Sequence, residues 1–352
     1  MSTQKQYDLI VYIGRFQPFH NGHLKTLKRA SFLSKNALVL IGSEKGPRTI
    51  KNPWTYDERK EMIKNFSIGG PTNLIISGLT DYSYNDNKWI TQVGEKVTEA
   101  TNSLGIEGEP CIAVIGHDKD HSSYYLNYFP QWDYIEVPAF PSEHDVIDST
   151  KIRQLMFTGH KSFTKSVLPT AFGSMDAVTA FTMRQEFTDL QKEWNFVEEY
   201  NKMWKAAPYP PTFVTVDAIV EQSGHILLIQ RGEFPGKGLW AMPGGFINEF
   251  ELLNKAVVRE LREETGLRVP EKVLKGSITH KDVFDDPKRS TRGRTITHAY
   301  LFQLDNTVEL PRVKGQDDAK KAKWFSLAEF EHMQPIMYED HFSIIRNMLD
   351  RS

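Results

Sequence analysis

The chain has 352 residues, more than one hydrophobic core usually supports, so two domains of ordinary size are expected. Its formal net charge of −2 and its 25% charged and 39% hydrophobic residues exclude intrinsic disorder and a surface basic enough to hold nucleic acid. The only cysteine, Cys111, excludes an intramolecular disulfide and favours a reducing compartment, the cytoplasm. Because no apolar run is long enough to cross a bilayer, no membrane partner is expected.

Four apolar runs alternate with helical patterns over the first 115 residues. The runs cover residues 9–13, 37–41, 74–77 and 112–115, and the helical patterns centre on residues 24–30, 58–66 and 89–101. Asn21 is the expected N-cap of the first helix. Continuous apolar runs are typical of strands buried on both faces, so this order predicts a doubly wound α/β fold with a parallel sheet. Ligands bind such sheets at the carboxyl ends of the strands.

A mostly helical stretch follows, from about residue 151 to 205. It ends where Pro208, Pro210 and Pro211 stop the helical pattern. Two strands, a glycine-rich turn, one strong helix and a mostly β remainder come next, which predicts an α+β domain. The expected domains are residues 1–205, including a helical connector, and residues 208–352.

The loop after the first strand concentrates residues that suit phosphate. It reads GRFQPFHNGH, residues 14–23. Gly14 permits a sharp turn, Arg15 adds positive charge, and the helix that follows offers free N–H groups at its N-terminus. His20 and His23 can donate hydrogen bonds to phosphoryl oxygens. Zinc binding is the rival use, but two histidines without a nearby cysteine or acid rarely form a metal site.

This loop resembles the HxGH signature of the nucleotidylyltransferase superfamily, and its Gly-Arg-Phe-x-Pro-Phe start resembles archaeal-type nicotinamide mononucleotide (NMN) adenylyltransferases. Residues 148–153, DSTKIR, are similar to the family's second phosphate motif, except that Asp148 replaces its first serine. The resemblance implies a nucleotidyltransferase domain that makes NAD and diphosphate from ATP and NMN. It assigns stabilisation of the developing charge to four residues: His20, His23, Arg15 and Arg153.

The same resemblance implies a set of substrate contacts. They are Gly14, Phe16, Asn52, Asp81, Trp89, Gly116, His117, Asp120, Ser149 and Thr150. Trp89 suits stacking on a cationic ring, but a core tryptophan on a helix is an equal alternative. Ser149 and Thr150 fit a helix cap as well. CTP instead of ATP, or another acceptor phosphate, stays an alternative.

The strongest helical pattern of the second half carries several carboxylates. It lies in GGFINEFELLNKAVVRELREETGL, residues 244–267. Glu260, Glu263 and Glu264 are three or four residues apart or adjacent, so on a helix they project toward one side and repel each other. A divalent cation would neutralise them, and oxygen ligands favour Mg²⁺ or Mn²⁺ over zinc. A solvated acidic face is the commoner meaning of such a run.

The fixed spacing decides against that alternative, because the segment from Gly245 to Leu267 resembles the Nudix box at every defining position. The family hydrolyses nucleoside diphosphates linked to another moiety. The resemblance implies metal ligation by Glu260 and Glu264, with Gly245 at the metal and Glu263 as a further ligand or catalytic group. Glu251 and Arg259 would pair and brace these carboxylates.

Residues 280–300 form a segment similar to a loop of ADP-ribose-cleaving Nudix enzymes. Within that resemblance, Arg289, Arg292 and Arg294 grip a diphosphate. A polar surface hairpin is the alternative. The choice of a general base in this loop stays open between three residues: His280, Asp285 and Asp286.

Fused adenylyltransferase–Nudix proteins with this domain order form a known bifunctional family, and the resemblance covers nearly the whole chain. It implies Mg²⁺- or Mn²⁺-dependent hydrolysis of ADP-ribose to AMP and ribose 5-phosphate by the second domain. The alternatives are a different nucleoside diphosphate or a non-catalytic ADP-ribose sensor, which the intact box carboxylates disfavour. The expected partners are ATP, NMN, NAD and ADP-ribose, with no nucleic acid and no membrane, and a homo-oligomer stays open.

Overall fold

The computed structural model describes residues 6–64, 71–117, 128–138, 148–159, 168, 173–307 and 309–350. It divides the chain into two compact units, Met1–Gln191 and Lys192–Ser352. This division falls inside one long helix, Gln185–Met203. The domain bounds expected from the sequence, 1–205 and 208–352, stay a prediction. Among the helices of the described residues, none is both long and apolar enough for a membrane span.

The first unit contains a five-stranded parallel sheet. Its strands are β1 (Leu9–Gly14), β2 (Asn36–Ile41), β3 (Asn73–Gly78), β4 (Ile112–Gly116) and β5 (Asp133–Glu136), in the order β3-β2-β1-β4-β5. Its helices are α1 (Asn21–Leu33), α2 (Tyr56–Lys64), α3 (Asp86–Ser103), α4 (Ser149–Phe157) and α5 (Ser174–Thr182), and α6 (Gln185–Met203) spans the division. The α/β fold predicted from the sequence is confirmed.

The strand order places a crevice at the carboxyl ends of the central strands of this sheet. The central strands are apolar along their whole length, with Leu9, Ile10 and Val11 fully buried, because helices cover both faces. The chain moves from β1 outward to β2 and β3, and then returns to β4 on the other side of β1. Loops that leave the carboxyl ends of β1 and β4 therefore diverge, which is where ligands bind in open α/β sheets.

The second unit is built on a mixed sheet. Its strands are β6 (Thr212–Gln222), β7 (His225–Arg231), β8 (Trp240–Ala241), β9 (Gly244–Phe246), β10 (Ile278–Phe284), β11 (Arg294–Gln303) and β12 (Ala319–Ser326). The main order is β10-β11-β6-β7-β12, with β8 on β7, β9 on β6, and β6 parallel to β11. The helices are α7 (Leu253–Thr265), α8 (Glu271–Gly276), α9 (Leu327–Phe330) and α10 (His341–Leu349). This α+β architecture is also as predicted.

Helix α7 buries one face and leaves the acidic face toward β9. Ala256, Val257 and Leu261 are fully buried in the core of the second unit. Strand β9 runs so close to β6 that a side chain on Gly244 would come within 2.2 Å of the Val216 carbonyl oxygen. Glycine is therefore required there, and it lets the backbone of β9 reach the carboxylates of α7.

Candidate active sites

His20 and His23 form the start of helix α1. The N-cap is His20, so the expectation of Asn21 as the cap was wrong by one residue. His20 Nδ1 accepts a hydrogen bond from the Gly22 N–H at 3.1 Å, and His23 Nδ1 accepts from the His20 N–H at 3.2 Å. The two rings stack with centroids 3.7 Å apart. Because each Nδ1 accepts a backbone hydrogen, each neutral ring carries its own proton on Nε2, where it can be donated to a phosphate.

Arg153 connects the second motif to this loop. From α4 it donates to the Gln17 carbonyl at 2.7 Å and to Thr150 Oγ1 at 3.1 Å. Burial, together with the nearby Arg15 guanidinium, lowers the pKa of Arg153 to about 10, while Asp148 acts in the opposite direction. A bound polyanion would stabilise these two neighbouring guanidinium groups, because their positive charges repel each other. The structure thus places Arg153 against the loop that carries Arg15 and His20, and joint phosphate binding by these residues stays a prediction.

Phe16 lies beneath the histidines. It has a positive φ of 52°, it is almost fully buried, and its ring meets the His23 ring edge-on at 4.9 Å. The ring also fills the space beside Gly14, where a Cβ would lie 2.9 Å from it. Phe16 therefore supports His23 through its ring, and its contact with substrate stays a prediction.

The other expected substrate contacts lie along the same end of the sheet. Gly116 ends β4, and His117 Nδ1 lies 3.1 Å from the Val137 carbonyl. Asn52 Oδ1 is buried and has no hydrogen-bond partner among the described residues, so it suits a donor from a ligand. Ser149 and Thr150 begin α4, whose cap is Asp148. Asp120 lies outside the described residues.

Asp81 and Trp89, two of the expected substrate contacts, have partners within the first unit. Asp81 Oδ1 accepts a hydrogen bond from the Ser43 N–H at 3.0 Å. Trp89 is partly buried, packs against the apolar core of the first unit and lies 6.1 Å from the Phe129 ring. This packing agrees with the alternative that Trp89 is a core residue, and its stacking on nicotinamide stays a prediction.

Glu260 and Glu264 lie side by side against strand β9. Glu264 is 6% exposed and accepts from the Gly244 N–H at 2.8 Å. A Cβ on Gly245 would lie 2.9 Å from the Glu260 carboxylate. Burial, together with the neighbouring Glu260, raises the pKa of Glu264 to about 8, against one opposing hydrogen bond from Gly244. A buried carboxylate whose negative charge is disfavoured in this way would be stabilised by a nearby positive charge.

Arg259 joins the acidic residues around this pair. Its Nε and Nη2 donate to the two carboxylate oxygens of Glu251 at 2.8 Å each, which confirms the expected pair although Glu251 precedes the helix. Its Nη1 donates to Glu260 at 2.8 Å and to Glu263 at 2.9 Å. Arg259 therefore fixes the acidic face and draws the half-exposed Glu263 away from Glu264.

The donor set fits a hard divalent cation in chemistry. Within the part of the chain that the structure describes, no three His, Cys, Asp or Glu side chains converge in a geometry that could hold a metal ion. Glu260 and Glu264 nevertheless supply carboxylate oxygens beside the partly buried main chain of Gly245, and oxygen donors suit Mg²⁺ and Mn²⁺. Metal ligation by Glu260, Glu263, Glu264 and Gly245 stays a prediction.

The three arginines expected to grip a diphosphate differ in their surroundings. Arg289 is buried and donates to Asp340 through Nε at 2.9 Å and Nη2 at 3.0 Å. Arg294 donates to the carbonyl and carboxylate of Asp285. Arg292 lies 4.8 Å over the Phe246 ring, and its Nε is buried without a hydrogen-bond partner among the described residues. Arg292 is therefore the member of this set that is placed to donate a hydrogen bond to a ligand oxygen.

Sequence reasoning missed one buried acid, Asp217 on β6. Its carboxylate accepts from the Thr297 hydroxyl and lies beside the backbone of Gly244. Burial raises its pKa to about 6, with Arg289 acting in the opposite direction. The available signal was a single charged residue inside the apolar strand VTVDAIV, since such residues are rarely buried without a specific partner.

Comparisons with known proteins agree with this division. The NUDIX domain profile matches residues 211–348, and the Cytidylyltransferase-like profile matches residues 11–154. The chain is 33% identical over 199 residues to a nicotinamide/nicotinic acid mononucleotide adenylyltransferase of Acinetobacter baylyi, covering 56% of this chain and 98% of that protein. It is 38% identical over 136 residues to an ADP-ribose pyrophosphatase of Methanocaldococcus jannaschii, covering 39% of this chain and 72% of that protein.

One similar solved structure spans both units. It is the crystal structure of a bifunctional NMN adenylyltransferase/ADP ribose pyrophosphatase from Francisella tularensis, complexed with AMP and a manganese ion. The TM-score is 0.90 at 38% sequence identity, and the match covers 98% of this chain and 99% of that chain. The protein therefore belongs to the family of bifunctional NMN adenylyltransferases and ADP-ribose pyrophosphatases.

Proposed function

We propose that the first unit transfers AMP from ATP to NMN, which yields NAD and diphosphate. The observation that carries the proposal is the hydrogen bond from Arg153 to the Gln17 carbonyl, which places the second motif against the loop that carries Arg15, His20 and His23. A phosphate oxygen of NMN attacks the α-phosphorus of ATP, and the bond from that phosphorus to the diphosphate breaks.

The first unit contributes donors and position in this reaction. The Nε2–H groups of His20 and His23 and the guanidinium groups of Arg15 and Arg153 face the negative charge that develops on the phosphoryl oxygens. Holding the two nucleotides in line adds the benefit of proximity. The proposed substrate contacts are Gly14, Phe16, Asn52, Asp81, Trp89, Gly116, His117, Asp120, Ser149 and Thr150.

The second unit hydrolyses ADP-ribose to AMP and ribose 5-phosphate in this proposal. Glu260 and Glu264 would hold Mg²⁺ or Mn²⁺ beside Gly245, and the cation would supply positive charge against the diphosphate oxygens. Arg259 keeps Glu260 in place, and the Gly244 N–H does the same for Glu264. Arg292 donates to the diphosphate, and Glu263 completes the acidic set.

A product screen of the full chain tests both reactions. With Mg²⁺, NMN and ATP should give NAD and diphosphate, and ADP-ribose alone should give AMP and ribose 5-phosphate. Replacing ATP with CTP should abolish dinucleotide formation, and nicotinic acid mononucleotide in place of NMN measures the acceptor preference. A chain that makes no NAD from ATP and NMN would contradict the first proposal.

Glu260→Gln tests the separation of the two reactions. We expect it to abolish metal-dependent hydrolysis and to spare NAD synthesis, because the first unit contains its own phosphate-binding groups. Glu249→Gln is the matched control, since Glu249 is exposed and lies in the same segment. Loss of both activities in Glu260→Gln would argue against independent sites.

The cytoplasm is the compartment that we propose for the protein. Cys111 is a free, exposed thiol, and free thiols persist in reducing compartments. The partners in this proposal are the nucleotides ATP, NMN, NAD and ADP-ribose.

A further inference from the structure

Arg59 on helix α2 is a buried cation that the proposed reactions do not use. It is 1% exposed, yet it donates to four main-chain carbonyls. Nη1 reaches the Arg15 and Gly42 oxygens at 2.7 Å each, Nη2 reaches Ser43 at 3.0 Å, and Nε reaches Thr55 at 3.1 Å. A single guanidinium thus gathers main-chain oxygens from three separate segments.

Three of these carbonyls lie at the carboxyl end of the sheet, where phosphate is expected. Arg15 follows β1, and Gly42 and Ser43 follow β2. Carbonyl oxygens at the carboxyl ends of parallel strands carry partial negative charge, which would repel a nucleotide phosphate unless a donor engages them. Arg59 engages them from beneath the sheet edge and keeps them paired.

Asp81 holds the same loop from its other side. Its Oδ1 accepts the Ser43 N–H at 3.0 Å, while Arg59 binds the Ser43 carbonyl. Ser43 has a φ of 53°, a left-handed conformation that a residue with a side chain adopts at a cost. Two anchors on one residue explain how that conformation persists.

The Arg15 side chain lies on this loop. A Cβ on Gly42 would be 3.5 Å from Arg15 Cγ, so the side chain runs across Gly42. The charges agree with that proximity. Burial lowers the pKa of Arg59 to about 10, Asp81 opposes the shift, and Arg15 adds to it. The position of the Arg15 guanidinium therefore depends on a backbone that Arg59 fixes at both Arg15 and Gly42.

We propose that Arg59 and Asp81 form a brace that positions Arg15 for adenylyl transfer. Arg59 acts through the main chain of Arg15, Gly42 and Ser43 and does not contact substrate, so it is a positioning residue. This inference rests on the adenylyl transfer proposed for the first unit. It also adds a positioning role for Asp81, through Oδ1, to the substrate contact proposed for this residue.

Arg59→Lys in the full chain is the first test. A lysine side chain has one nitrogen and cannot reach all four carbonyls that the three guanidinium nitrogens of Arg59 bind. The Arg15 side chain should therefore lose its position for adenylyl transfer. We expect kcat for NAD synthesis to fall about 100-fold with little change in KM, because misplacement of a charge-stabilising group costs mainly the transition state. Arg184→Lys, at a half-exposed arginine of the same unit, is the control. Unchanged kcat in Arg59→Lys would overturn the brace.

A double-mutant cycle separates positioning from general damage. If Arg59 acts through Arg15, the Arg15→Ala, Arg59→Lys double variant should be no slower than Arg15→Ala alone. Losses that multiply would overturn the proposal, because they would mean that Arg59 contributes independently of Arg15.

Asp81→Ala keeps the proposal testable if Arg59→Lys fails to fold, which its thermal unfolding would reveal. The brace predicts a fall in kcat, which the loss of a substrate contact alone would not give. A raised KM for NMN at unchanged kcat would make Asp81 a substrate contact alone and overturn the brace. Absence of NAD synthesis in the unmodified chain would count against the proposed function and not against this inference, so the two failures are distinguishable.

Discussion

The two units gather buried charge of opposite sign where we propose that phosphate binds. In the first unit, burial and the neighbouring Arg15 lower the pKa of Arg59 and Arg153 to about 10 each. In the second unit, burial and the neighbouring Glu260 raise the pKa of Glu264 to about 8. Each site places like charges close together, but only the charges of the first site are positive and therefore attract a phosphate.

Because of this difference, only the second site needs a cation from solution before it can bind an anionic ligand. The first site encodes its positive charge in the chain, so its attraction for nucleotides is present as soon as the unit folds. The second site is negative and must acquire a cation before an anionic diphosphate can approach. The second activity should therefore follow the concentration of divalent metal more steeply than nucleotide binding by the first.

Glu264→Gln should have the largest effect on the difference between the two sites. Glutamine can still accept the Gly244 N–H, but it removes the charge that the cation needs. We expect ADP-ribose hydrolysis to fall about 1,000-fold while NAD synthesis is unchanged. Initial rates at saturating Mn²⁺ measure the effect, and near-normal hydrolysis would mean that Glu264 holds no metal.

His20 offers the corresponding test in the first unit. His20→Asn and His20→Ala both remove the Nε2–H donor, and kcat for NAD synthesis should fall about 100-fold in each. Only the alanine variant loses the N-cap, so only it should unfold more easily, by about 1 kcal/mol. Thermal unfolding beside kinetics checks this. Equal stability of the two variants would contradict the capping role.

The buried acid Asp217 sharpens the comparison through pH. Its pKa is raised from 3.8 to about 6, so the folded state retains a proton that the unfolded chain releases earlier. The stabilisation is complete below pH 3.8 and is lost as the pH rises through 6, by roughly 3 kcal/mol. Asp217→Asn should flatten this fall between pH 4 and pH 7 in denaturant unfolding. An unchanged pH profile would show that Asp217 is not the group that titrates.

Gly245→Ala should give the smallest effect. The added Cβ would lie 2.9 Å from the Glu260 carboxylate and displace it, so we expect the affinity for Mn²⁺ to weaken about tenfold. Gly276→Ala is the matched control, because a Cβ there has open space around it. Metal titration of hydrolysis distinguishes them, and equal affinities would contradict a close approach of Gly245 to the metal.

The overall fold could be predicted from the sequence because its central strands are buried on both faces. Runs such as 9–13 and 37–41 have no polar interruption, which leaves little doubt about their environment. Strand β5, DYIE, was missed because it lies at the sheet edge and is largely exposed, so it carries no apolar run. The second phosphate motif was found through its resemblance to the family's motif, and the structure shows its Arg153 donating to the Gln17 carbonyl.

Buried arginines were the part of the sites that sequence could not predict. Arg59 sits in a polar helical stretch, and its partners are main-chain carbonyls, which no side-chain pattern reveals. Arg289 was assigned to a diphosphate from the resemblance, and its ion pair with Asp340 could not be foreseen because the two residues lie 51 positions apart. In both cases the partner depended on tertiary contacts.

The cap on helix α1 also limits what chemistry His20 and His23 can perform. Their Nδ1 atoms receive main-chain hydrogens, so neither ring can take up a second proton without opening the first turn of the helix. The pair is consequently unsuited to relaying protons during turnover. A phosphate nucleophile such as NMN arrives already ionised and needs no such relay, which is why a rigid donor pair suffices.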